Sequence, residues 1–355
     1  MIASRLTKTA ASPTQYWGVA DYEAGAPNDD DGQAEFFPII SMRPARVVAI
    51  VFEAQRAHRE TGSMKRLSSG QVPGVYRRNV GDIAVASVLD GMLPADFKDI
   101  VQVDPAVCEA EHRAALRPTP PWLTLNTFLI ETAERLILVD SGYADTIALT
   151  GQLLPNLAAL GVKPADIDAV VMTHMHADHD AGMIHKDGTA VFPRAELVLT
   201  EDELAFWRDE GSIALLSAGQ KTDFALATAV LAAYADRLKP VKAGEAAAPG
   251  VFAVPTPGHT PGHTAWRVSS GSEQLLIWGD VVHLPGVQFA IPEAGVVYDV
   301  DSRAAAATRR RLLDMVATDR IPVAGIHLDF PGYGRVAARP SGGFAFVAEP
   351  WTPAL

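Results

Sequence analysis

Residues 173–180 read THMHADHD, so His174, His176, Asp178, His179 and Asp180 fall within seven positions. Imidazole and carboxylate are the ligands that zinc, manganese and iron take. In an extended segment alternate side chains point the same way, so His174 and His176 can face one ion. Asp178 and His179 then point elsewhere, and one loop can serve two ions about 3.5–4 Å apart. The stretch follows the apolar run Ala169-Val170-Val171-Met172, which reads as a buried strand. Further ligands must come from later loops. His259 stands in the Pro/Gly-rich PTPGHTPGHT (255–264), Asp280 ends QLLIWGD, and His327 ends the apolar run VAGIH. Asp180 reads as a solvated loop or helix-start residue. Two ions sharing a water lower its pKa toward neutrality and make a hydroxide nucleophile, so no Ser-His-Asp triad is needed.

The elements that must position these groups interleave along the chain. Strands are predicted over 82–90, 124–132, 135–142, 195–200, 252–254, 263–270 and 274–280. Leu149, Leu153, Leu157 and Leu160 predict a helix over 147–161, with Pro155 near its first turn or at a kink. Thr200 and Glu203 form a capping-box pattern for the next helix, and Phe224–Leu238 reads as an alanine-rich helix stopped by Pro240. Asp301-Ser302 predicts the cap of a helix over 303–317. Hairpins mixed with helices imply sheets covered by helices on their outer faces, an α+β architecture.

Residues 1–70 carry no sustained periodicity and read as a weakly ordered or peripheral extension, leaving 71–355 as the working domain. A chain starting at Met64 is expected to fold and keep the site. Acidic residues outnumber basic ones 42 to 30, a net charge of −12, which argues against a nucleic-acid partner. The single cysteine, Cys108, excludes an internal disulfide and fits a reducing compartment. No apolar run reaches the roughly 18 residues needed to span a bilayer, so the cytoplasm is the expected location, with no membrane partner. A homodimer is left open.

The order His-x-His-x-Asp-His, Gly-His, Asp, His resembles the five-part ligand signature of the metallo-β-lactamase superfamily, over roughly residues 75–350. The resemblance implies an αββα four-layer sandwich with metals at the rim between two sheets. It assigns His174, His176 and His259 to one ion, Asp178, His179 and His327 to the other, and Asp280 to the bridge. The cofactor implied is two divalent ions, Zn2+ first, with Mn2+, Fe2+ or Co2+ as substitutes. It makes Asp178 and Asp280 catalytic, with Asp280 also placed to pass a proton to the leaving group. Asp140, ending the strand LILVD, resembles a carboxylate that orients a ligating imidazole, and His263 reads as a supporting or packing histidine.

Departures narrow the branch. The main β-lactamases carry cysteine where Asp280 stands, and diiron flavoproteins usually carry glutamate where His176 stands. The closing segments GDVVHLPGVQFAIPE (279–293), DVDSRAAAATRRRLLDM (299–315) and GIHLDFPGYGRV (325–336) resemble the methyl parathion hydrolase-like branch. Trp207 and Phe289 are then expected on the substrate pocket's wall. His283 takes a position where that branch has an apolar residue, and is expected to bind substrate. The expected activity is hydrolysis of small neutral esters, lactones or phosphotriesters by a metal-bridging hydroxide. The alternatives are a thioesterase of the glyoxalase II type and a mononuclear iron dioxygenase on the same fold.

Overall fold

The computed structural model describes residues 71–353 apart from 148, 216 and 217. The extension expected over 1–70 therefore lies outside the described residues. In chain order the strands begin with β1 (Val75–Val80), β2 (Ile83–Pro94), β3 (Ile100–Val101), β4 (Trp122–Glu131) and β5 (Leu136–Val139). Next come β6 (Ala169–Val171), β7 (Glu196–Thr200), β8 (Leu238–Val241), β9 (Ala246–Ala248), β10 (Val251–Pro255) and β11 (Thr264–Ser270). The last are β12 (Glu273–Ile277), β13 (Gly295–Val296), β14 (Val323–Ala324), β15 (Tyr333–Ala338) and β16 (Phe344–Ala348). The helices are α1 (Pro105–Ala114), α2 (Leu153–Ala159), α3 (Ala177–Asp180), α4 (Glu201–Arg208), α5 (Ala218–Ala233), α6 (Pro285–Gln288) and α7 (Ser302–Thr318).

Two seven-stranded sheets result, in the orders β1-β2-β4-β5-β6-β7-β8 and β16-β15-β14-β12-β11-β10-β9. The first changes from antiparallel to parallel pairing at β5, and in the second only β12 and β14 run parallel. Strand alternation sorts the apolar side chains into layers. Ile137, Val139, Ala169 and Val171 face the second sheet and meet Trp266, Val268 and Ile277. Leu138 and Val170 face outward onto Leu153, Leu157, Leu204 and Phe224 from α2, α4 and α5. Leu312, Leu313 and Val316 of α7 cover the outer face of the second sheet on Leu276 and Val323. This is the αββα sandwich.

Three local expectations are corrected. The helix predicted over 147–161 shortens to α2, with Leu149 exposed and Pro155 in the first turn, where a missing N–H costs nothing. The helix predicted over 224–238 runs from 218 to 233, and Pro240 lies within β8. As the edge strand of its sheet, β8 tolerates a proline. Thr200 is the N-cap of α4 but makes no side-chain capping bond, because its hydroxyl is turned to Gly262 O, and Glu203 is engaged elsewhere.

Candidate metal centre

Strand β6 ends at Val171, and the chain continues extended through His176 (φ −82°, ψ 157°) before α3 begins. The extended stretch aims His174 and His176 together, Nε2 to Nδ1 at 3.1 Å, and the turn into α3 sends Asp178 and His179 the other way. His259 arrives from the β10–β11 loop with Nε2 at 2.9 Å from His176 Nδ1. Asp280 follows β12, with Oδ2 at 3.2 Å from His259 Nε2 and 3.7 Å from His174 Nε2. Its other oxygen, Oδ1, lies 3.1 Å from His179 Nε2 and 3.2 Å from His327 Nε2. Asp178 Oδ2 completes that second set at 3.6 Å from His179 and 3.5 Å from His327.

Donors around a tetrahedral zinc stand roughly 3.3–3.6 Å apart, given zinc–ligand distances of about 2.0–2.2 Å. The separations in both sets, 2.9–3.7 Å, scatter about that spacing, and one carboxylate faces both. His179 Nε2, His327 Nε2 and Asp280 Oδ1 are buried with no hydrogen-bond partner. Such atoms are costly unless their lone pairs serve a cation. The residues fit a dinuclear metal site: His174, His176 and His259 could hold one ion, Asp178, His179 and His327 another, and Asp280 could join them.

The imidazoles of His179 and His327 are fixed from behind. Asp140, at φ 56° just past β5, accepts from Thr173 N and Oγ1 at 2.7 Å and holds His179 Nδ1 at 2.8 Å. His327 Nδ1 donates to Thr124 O of β4, while Asn126 Nδ2 donates to the carbonyls of Gly325, Ile326 and Leu328 around it. His263 lies behind the cluster, its Nε2 accepting from Asp280 N at 2.9 Å. Gly279 is needed there, since a Cβ would stand 2.6 Å from His263 Nε2. These outward bonds set tautomer and ring orientation.

Two further ties carry no ligand signature in the sequence. Asp299, just before α7, holds His259 Nδ1 through Oδ1 at 2.8 Å and accepts from Val296 N through Oδ2. Glu203 is buried and accepts from Met175 N at 3.0 Å, Trp207 Nε1 at 2.6 Å and Thr260 Oγ1 at 2.6 Å. It thereby links the loop of His174 and His176 to the loop of His259.

Burial, and then the neighbouring imidazole of His179 for His174 and of His259 for His176, holds both well below the usual histidine value. They are neutral, with lone pairs free to bind. Burial likewise lowers His259, but Asp280 and Asp299 outweigh it and push the ring up to about 9. Burial raises Asp280, yet the surrounding imidazoles, His179 foremost, hold it well below the carboxylate range.

Three expectations fail on burial. Asp180, expected in solvent, is fully buried with neither carboxyl oxygen bonded, and burial followed by Asp223 pushes it well above the usual range. Trp207 lies behind His176, edge to face at 5.8 Å, with its Nε1 on Glu203, and is not among the residues that line the cavity beside the cluster. Phe289 stacks on Phe346 and lines a separate cavity with Arg117 and Arg339. His283 does reach the cavity of about 410 Å³ beside the cluster, stacked over His327 with Nε2 at 3.0 Å from Asp280 Oδ2. Among the described residues no helix is long and apolar enough to cross a membrane.

The crystal structure of hydrolase AbOPH in the beta lactamase superfamily is 30% identical, with a TM-score of 0.73 over 80% of this chain and 100% of that one. The structure of AidC, a dizinc quorum-quenching lactonase in complex with a product N-hexnoyl-L-homoserine, is 25% identical, with a TM-score of 0.74 over 79% and 99%. An N-acyl homoserine lactonase of Bacillus thuringiensis is 27% identical over 199 residues, covering 48% of this chain and 71% of its own. The chain spans from 20% to 71% of the length of the curated relatives it matches. The family profile described as Metallo-beta-lactamase superfamily matches residues 120–320, more than half of the sequence. With that match and two donor sets sharing one carboxylate at the sheet rim, the chain belongs to the metallo-β-lactamase superfamily.

Proposed function

We propose that the protein is a dinuclear zinc hydrolase of small neutral esters, lactones or phosphotriesters, with the seven residues above as ligands. The observation that carries this is Asp280, whose two oxygens face two separate imidazole sets. When bound, the two ions supply an activated water and polarise the carbonyl or phosphoryl oxygen. The chain's own groups do the rest. His283 stands at the cavity side of Asp280 with Nδ1 unpartnered, placed to hydrogen-bond a substrate or leaving-group oxygen. Leu93, Pro94 and Leu123 give the cavity an apolar wall that desolvates a neutral group at little cost.

A second cavity of about 700 Å³ shares Tyr143, Ala177 and Thr222 with the first and adds Leu153, Val191 and Leu226. It offers room for an apolar arm of the substrate. Among the described residues no lysine or arginine lines the cavity beside the cluster, which disfavours a glutathione thioester with its carboxylates. Within the superfamily the methyl parathion hydrolase-like branch remains our reading, supported by the AbOPH likeness. His283→Leu should then slow lactone and aryl-ester turnover more than phosphotriester turnover, by about 1–3 kcal/mol for a lost hydrogen bond.

The test is metal content together with turnover over lactones, aryl esters, phosphotriesters, β-lactams and a glutathione thioester. Near two zinc ions per chain and turnover of a neutral substrate support the proposal. One iron per chain, or turnover confined to the thioester, overturns it.

A further inference from the structure

One ionisable side chain on the wall of the cavity beside the cluster has no part in the donor sets. Asp223, on α5, lines it together with Tyr143 and Tyr298. It belongs to none of the groups that could hold a metal, and no lysine or arginine among the described residues pairs with it. The Ala177 backbone N–H donates to it. Burial and then Asp178 push its carboxyl up to about 6, so it is ionised above neutral pH. The same carboxylates act on the tyrosines: burial, then Asp178 and Asp223, pushes the Tyr143 phenol up.

A half-buried carboxylate with no lysine or arginine partner is costly, and the imidazoles of His259 and His179 offset the cost of burial only in part, so an amide would be the cheaper residue at that position. A carboxylate beside two aromatic rings, with no lysine or arginine among the described residues on the wall, is the chemistry that receives an ammonium group. We propose that Asp223, with Tyr143 and Tyr298, recognises a protonated amine on the substrate, away from the bond that is cleaved. This deepens the hydrolase reading and rests on it. It narrows the substrate class to an ester or lactone that is uncharged at the cleaved group and carries a protonated amine at its far end, in place of a wholly neutral molecule.

Two measurements separate the inference from the reading beneath it. The first is calorimetry of n-butylammonium and n-butanol on the zinc-loaded full chain, which needs no turnover. The wild type should bind the ammonium about tenfold or more tightly than the alcohol, and rising salt should erode the difference. Asp223→Asn should bring the two within about twofold, with zinc content at the wild-type level. The second compares kcat/KM for an aminoalkyl ester and its uncharged alkyl isostere, where the ratio between them should collapse in Asp223→Asn. Equal binding of ammonium and alcohol by the wild type overturns the inference. So does an unchanged ratio in the variant, or zinc loss in the variant, which would make Asp223 a charge balance for the ions. Turnover of neither ester overturns the hydrolase reading and leaves the calorimetry to decide on Asp223.

Discussion

Glu203→Ala offers the sharpest separation of the two halves of the metal site. The side chain accepts three hydrogen bonds, from Met175 N, Trp207 Nε1 and Thr260 Oγ1, all buried. Each donor left unpaired costs about 1–3 kcal/mol. Against that, burial raises the carboxyl, so removing it relieves a desolvation penalty, and water or a rotated Thr260 hydroxyl recovers part of the loss. The net expected cost is about 2–4 kcal/mol, read by thermal unfolding of the metal-free protein. The loss is also directional. Met175 stands between His174 and His176, and Thr260 follows His259, so the slack falls on the three imidazoles of one set. His179 is held by Asp140 and His327 by Thr124, neither of which touches Glu203. Dialysis against graded free zinc, with content read by mass spectrometry, should show the variant falling to one ion per chain where the wild type keeps two. Glu203→Gln keeps an acceptor for two donors and lets Thr260 turn round, so it should retain both ions. An Ala variant that binds both ions with wild-type affinity, or loses both together, would refute the reasoning.

Three other outcomes follow from the same geometry. Asp299→Ala should weaken zinc binding about 10–100-fold, measured by competition with a chelating dye, because His259 loses its orienting acceptor. Tyr234 donates to Met183 O and accepts from Phe192 N, and burial pushes its hydroxyl up to about 12. Its folded value lies above the unfolded value near 10, so its contribution is whole below pH 10 and lost as pH rises to 12. Tyr234→Phe should flatten the stability profile across that window in a denaturant titration series. Gly258→Ala should unfold more readily or express poorly, since φ is 133° and a Cβ would stand 2.2 Å from Ala305 N.

That these donor side chains cluster was legible because residues able to bind a metal stand in a local pattern. His174 through His179 sit within one turn of chain after a buried strand, and His259, Asp280 and His327 each end an apolar run or occupy a tight loop. The layers were legible only as sheets covered by helices, because Leu136–Val139 is apolar on both faces, and the fold alone shows Ile137 and Val139 turned to the second sheet and Leu138 to the helices. Exposure has no such signature. Asp180 looks like a helix-start residue, and only the packing of α3 against its surroundings shows that water cannot reach it.

The parts of the site that stayed hidden are those contributed across sequence distance. Glu203 sits at the N3 position of a capping-box sequence pattern that does not form, and nothing local distinguishes a glutamate that caps from one that reaches Met175 and Thr260, 28 and 57 residues away. Asp299 meets His259 across 40 residues, and Asn126 holds the His327 loop across about 200. A cluster of five imidazoles and two carboxylates cannot hold its own orientation, because the rings would turn to satisfy one another. Orientation has to come from acceptors on separate elements, here β4, the turn after β5, α4 and the start of α7, each tied to one ring or loop. In the proposed site the donor residues would set which metals can bind, while the surrounding layers would decide whether the two sets stay about one ion apart. Disturbing a single outer tie should cost one ion first, and disturbing Asp280, which both sets share, should cost the pair.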